Sequence, residues 1–122
     1  MILITGGLYQ GKLEYALKKY NLDENDVSDF SKNNSYDFSK KILNNFHKYI
    51  EYCILNNKNI SEIIDNLEDK IIITCETGCG IVPLKPEERH IREFTGRINC
   101  ILAEKSESVI RVCCGLGIEL KK

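Results

Sequence analysis

No stretch of this sequence approaches the roughly 20 consecutive apolar residues that a membrane-crossing helix requires. The opening run Met1 to Ile4 halts at Gly6-Gly7, too short for a secretory leader. Neither sign of charge is in excess: 17 Lys and Arg stand against 18 Asp and Glu, a net charge of −1 at pH 7. The chain therefore has no basic field to attract nucleic acid or an anionic membrane. Its six cysteines include no C-x-x-C pair and no zinc-ribbon spacing. Cys75, Cys113 and Cys114 fall in apolar, strand-like runs and read as small hydrophobes in a reducing compartment. No Ser-His-Asp set is recognisable, and Cys79 has no assignable base. These absences predict a cytoplasmic protein without a nucleic-acid partner, a membrane partner or a metal site.

What is present is enough apolar material for a core, 43% of 122 residues, and the length suits one domain spanning 1–122. Met1 to Thr5 reads as a buried strand. Leu13, Ala16, Leu17 and Tyr20 then recur at helical spacing. Within the polar stretch Asn21 to Asp37, Asp26 to Phe30 is the one strand-like piece. Ser39 to Asn57 predicts a helix with an apolar stripe from Ile42 to Ile54. Asn59 is placed to cap a further short helix, with Glu62 three residues on. Ile71-Ile72-Ile73 within Lys70 to Cys75 is a β-branched run typical of a buried parallel strand. Pro86, followed by Glu87 and Glu88, starts another helix. Ser108 to Cys114 and Ile118 to Leu120, joined through Gly115 and Gly117, predict a hairpin. Strands alternating with helices imply an α/β fold: a mostly parallel sheet with helices on both faces and a C-terminal hairpin.

Between the first strand and first helix lies Gly6-Gly7-Leu8-Tyr9-Gln10-Gly11-Lys12, which fits G-x-x-x-x-G-K, the first seven positions of a P-loop. Glycines let backbone N–H groups converge on phosphate oxygens. The helix start presents positive charge to the anion, and Lys12 adds a point charge. The alternative is a glycine turn with a surface lysine. Position eight is Leu13, where a P-loop has the Ser or Thr hydroxyl that binds Mg²⁺. These residues predict a nucleotide site of Gly6, Gly7, Leu8, Tyr9, Gln10, Gly11, Lys12 and Leu13, with Mg²⁺ positioning compromised. Glu76, following the central strand, is placed where open α/β sheets bind ligands. There it orients a substrate hydroxyl or metal-bound water, or else forms an ion pair with Arg89 or Arg92. A Walker B acid is not evident. Asp29 is the one candidate, and it reads better as a turn residue.

Thr74 to Pro83, TCETGCGIVP, resembles the (S/T)NEVGxGIVP segment of the adenosylcobinamide kinase/adenosylcobinamide-phosphate guanylyltransferase family. Arg89-His90, Arg92 and Gly96-Arg97-Ile98-Asn99 match its RHxRDxxGRVN helix, and Val112 to Lys121 resembles its final strands. The resemblance implies a P-loop NTPase-like fold, ATP or GTP as phosphate donor, adenosylcobinamide as the corrinoid alcohol substrate, and a homo-oligomer, by family a trimer. It implies Lys12 and Glu76 as catalytic residues of a P-loop kinase. Family members are longer, and the missing part carries the histidine that becomes guanylylated. The chain has two histidines, His47 and His90, neither of them in that segment. Guanylyl transfer is therefore expected to be lost. The other reading is a non-catalytic nucleotide- or phosphate-binding module with a regulatory or assembly role.

Overall fold

A computed structural model describes residues 1–7, 10–32, 36–76 and 85–121. The elements in chain order are β1 (Ile2–Thr5), α1 (Lys12–Tyr20), β2 (Val27–Asp29), β3 (Ile42–Asn44), α2 (Phe46–Leu55), α3 (Ile60–Ile64), β4 (Ile71–Ile73), α4 (Pro86–Lys105), β5 (Ser108–Cys113) and β6 (Leu116–Lys121). They form a six-stranded sheet in the order β2-β3-β4-β1-β5-β6. All neighbours are parallel except β5 and β6, which form the expected antiparallel hairpin.

The apolar runs follow from two-sided burial. Successive residues of a strand face opposite sides of the sheet, and here both sides are covered. Leu3, Leu43, Ile72 and Val109 face a core shared with Phe46, Ile50, Ile64, Ile98 and Leu102 of α2, α3 and α4. Ile4, Ile42, Ile71, Ile73, Ile110 and Val112 face the other side, packed against Ala16 with Leu13, Tyr15 and Leu17 of α1. Each fully buried aliphatic side chain of this kind contributes roughly 1.5–3 kcal/mol relative to exposure.

Two expectations need correction. Residues 39–57 are not one helix. Ile42–Asn44 is a buried strand, Asn45 turns the chain at φ 58°, and α2 begins at Phe46. The apolar spacing of Ile42, Leu43 and Phe46 fits a helix stripe, but three consecutive residues buried on both faces of a sheet carry no period. Cys113 and Cys114 are not core hydrophobes: both are exposed. Cys114 (φ 52°) and Gly115 (φ 77°) form the hairpin turn, both in the left-handed region that two-residue hairpin turns require.

The signals at the starts of α3 and α4 hold. The Asn59 side chain accepts from the Ser61 N–H and caps α3. Pro86 stands in the first turn of α4. At the far end of α4, Ser106 Oγ and Lys121 Nζ donate to its last carbonyls, which places a cation at the negative end of the helix. Lys121 belongs to β6 and so ties the hairpin to α4. Among the described residues, no helix is long and apolar enough to cross a membrane.

Candidate functional site

The carboxyl ends of β1, β4 and β5 lie side by side, and the glycine loop leaves β1 between the other two. Gly6 is required by contact. Its φ is 153°, and a Cβ there would lie 2.5 Å from the Val112 carbonyl oxygen of β5. Gly11, at φ 82°, is the left-handed residue from which α1 starts, with no side chain capping the helix. The first N–H groups of such a helix have no partner within it. Gln10 is held by the hairpin turn: its carbonyl accepts from Gly115 N–H at 2.8 Å and its Oε1 from Cys114 N–H at 2.7 Å. Leu8 and Tyr9 lie outside the described residues.

Lys12 is buried, 9% exposed. Its ammonium donates to the Gly6 carbonyl at 3.2 Å, the Gly7 carbonyl at 3.1 Å and the Cys75 sulfur at 2.9 Å. These partners use its three N–H bonds, yet none is an ordinary anion. Among the described residues no carboxylate forms an ion pair with it. A buried cation without a counter-ion is costly, and the arrangement favours an incoming anion that can take over those donors. Leu13 points away and packs against the core on the α1 face.

Glu76 leaves β4 with its N–H on the Gly6 carbonyl at 2.9 Å. Its carboxylate meets Arg111 of β5 at two points, Nε to Oε1 at 2.7 Å and a terminal nitrogen to Oε2 at 3.2 Å. This pair spans the end of β1 from one flank to the other. The ion-pair partner is thus Arg111, a residue that carries no motif of its own. Asp29 ends β2, where its carboxylate accepts from Ser31 and Asn45. Burial raises its carboxyl pKa, but donation from Asn45 and Ser31 outweighs this and leaves it below the usual range. It sits on β2, the edge strand three positions from β1.

Among the described residues, the buried side-chain atoms His47 Nδ1, Thr74 Oγ1 and Asn99 Oδ1 have no hydrogen-bond partner. Asn99 belongs to the family-like α4 motif, and its amide donates to the Cys75 carbonyl at 3.4 Å, so α4 reaches the loop through β4. Arg97 and His90 are exposed, His90 lying beside Phe94. His47, early in α2, is pushed down to about 4 from its usual 6.5, chiefly by burial and secondarily by the charges of Lys48 and Lys12. It is neutral at pH 7. Gly78, Gly80 and the rest of 77–83 lie outside the described residues.

Among the described residues, the donor set does not fit a protein-held Mg²⁺. Position 13 supplies an apolar side chain turned into the core, and Glu76 is engaged with Arg111. Among the described residues no group of three or more His, Cys, Asp or Glu side chains is placed to hold a metal ion.

A family model for cobinamide kinase / cobinamide phosphate guanyltransferase matches residues 41–120, from just before β3 into β6. That segment is well over half of the chain and begins after the glycine loop. Two curated proteins are similar to it, each called bifunctional adenosylcobalamin biosynthesis protein CobU, one from Salmonella typhimurium and one from Escherichia coli. Each is 39% identical over 51 residues, which is 42% of this chain and 28% of the relative. The similar stretch therefore spans little more than a quarter of either relative.

Proposed function

Because this chain belongs to the cobinamide kinase / cobinamide phosphate guanyltransferase family, we propose that it binds the phosphate chain of ATP or GTP on residues 6–12. In this reading it is one P-loop domain that passes the terminal phosphoryl group to the alcohol of adenosylcobinamide. The observation that carries the proposal is Lys12: a buried ammonium held by loop carbonyls at the start of α1, with no carboxylate paired to it among the described residues. Backbone N–H groups at the helix start and this one charge suffice to bind phosphate oxygens. Glu76, once released from Arg111, is the group that orients the acceptor hydroxyl, and Arg111 is then available to the transferred charge.

Guanylyl transfer is not included. It needs a nucleophile to carry the guanylyl group, and neither His47 nor His90 lies in the family segment that supplies one. A second reading, nucleotide binding without turnover, is favoured by Leu13 and by the Glu76–Arg111 pair. Self-association belongs to either reading: Leu116, Ile118 and Leu120 are 71%, 51% and 60% exposed and line one face of the edge strand β6. Ile118→Lys is expected to turn an oligomer into a monomer in sedimentation. An unchanged sedimentation coefficient would remove β6 from the interface.

Calorimetric titration with ATP and GTP, with and without Mg²⁺, tests the site. Lys12→Ala is expected to weaken binding about 100-fold through loss of charge-assisted hydrogen bonds, while far-UV circular dichroism stays native. Equal affinity in the variant, or no binding by folded wild type, would end the proposal. Phosphate transfer from the bound nucleotide to adenosylcobinamide separates the kinase from the non-catalytic module.

A further inference from the structure

A cavity of about 740 Å³ opens between the outer face of α1 and the β5–β6 turn, lined by Gly11, Glu14, Tyr15, Lys18, Lys19 and Gly115. Its walls are fixed to one another. The turn is bonded to Gln10 at two points. A Cβ on Gly11 would come within 3.4 Å of the Gly115 Cα, so loop and turn are in close approach. Tyr15 lies against Gly117, where an added Cβ would be 2.2 Å from the ring. Lys19 bridges to Glu119 of β6 at 3.5 Å. The space is thus shaped before any ligand arrives, and its volume lies in the range of small-molecule sites.

Gly11 belongs both to the glycine loop and to the cavity lining. A ligand whose phosphates rest on the start of α1 has the rest of its body beside this opening. The lining suits a nucleoside: an aromatic ring, two aliphatic lysine stems with cationic ends, and a single carboxylate. We infer that the cavity between α1 and the hairpin turn is the base subsite of the nucleotide, and that Glu14 selects guanine there. A carboxylate accepts two parallel hydrogen bonds from adjacent N–H donors. Guanine offers such a pair at N1 and its 2-amino group, whereas adenine presents one amino group next to an acceptor nitrogen. The inference rests on the phosphate reading of residues 6–12, and the test separates the two.

Wild type and Glu14→Gln are titrated with GTP, ATP and inorganic tripolyphosphate in Mg²⁺-free buffer. Glu14 is exposed on the helix surface, so the variant keeps its fold, which circular dichroism verifies. Wild type is expected to bind GTP at least tenfold more tightly than tripolyphosphate and about fivefold more tightly than ATP. Glu14→Gln brings GTP to the affinity of ATP and leaves tripolyphosphate within twofold of wild type. Tripolyphosphate binding with no gain from guanosine overturns the base subsite alone. A GTP-to-ATP ratio that ignores Glu14→Gln overturns its selecting role. A folded protein that binds none of the three overturns the phosphate site and this inference with it.

Discussion

Gly6→Ala is expected to lower stability by about 3 kcal/mol or more, read as a shift of the urea midpoint at unchanged slope. Two costs combine. The new methyl would lie 2.5 Å from the Val112 carbonyl oxygen, a backbone atom in the sheet that cannot turn aside as a side chain would. The φ of 153° also belongs to a region essentially reserved for glycine, at roughly 1–3 kcal/mol for another residue. Reduced freedom of the unfolded chain returns under about 1 kcal/mol. Gly6 also accepts from both Lys12 and Glu76, so a displaced Gly6 misplaces the ammonium and the carboxylate together. A loss below about 1 kcal/mol would show that β1 and β5 are not in the close approach described.

The second large effect is a pH dependence set by His47. Its folded pKa of about 4 lies below the usual 6.5, so between those values the unfolded chain binds the extra proton. Stability is full above pH 6.5 and is lost as pH falls from there towards 4. Because the ring is only partly buried, water trims the effect to about 2 kcal/mol. Denaturation at pH 7 and at pH 4.5 measures it, with His47→Gln expected to lose most of the difference. A variant that keeps the full pH slope would assign that slope to other groups. The ring also reports on the loop. Lys12 contributes to its depressed pKa, so an anion that neutralises Lys12 should move the His47 resonance titration upward.

Much of this was readable without coordinates, and the parts that were not share one cause. β1, α1, β4, α4 and the hairpin announce themselves because glycine, proline or a polar break bounds each apolar run. β3 does not. Ile42-Leu43-Asn44 runs into Phe46 with only Asn45 between, and asparagine's tolerance of positive φ is a weaker mark than a glycine or proline. In the candidate site, Gly6, Gly11 and Lys12 were visible because loop, strand and helix are contiguous. The Glu76–Arg111 pair was not: it joins residues 35 positions apart that adjoin only because β4 and β5 both flank β1. The exposure of Cys113 and Cys114 is not legible for the same reason, since nothing local says that β6 is the edge of the sheet.

The two bonds from the hairpin turn to Gln10 bear on the order in which the protein becomes competent. Gln10 and Cys114 are separated by 104 positions. At about 5–20 residues per second of synthesis, the turn follows the loop by roughly 5–20 s. For that interval the nascent chain carries the glycine loop without the brace that seats it, and β1 has no β5 beside it. Ligand present during synthesis can therefore favour the folded form only once residue 115 has been made, so the loop, translated before the turn that braces it, is among the last parts to be set.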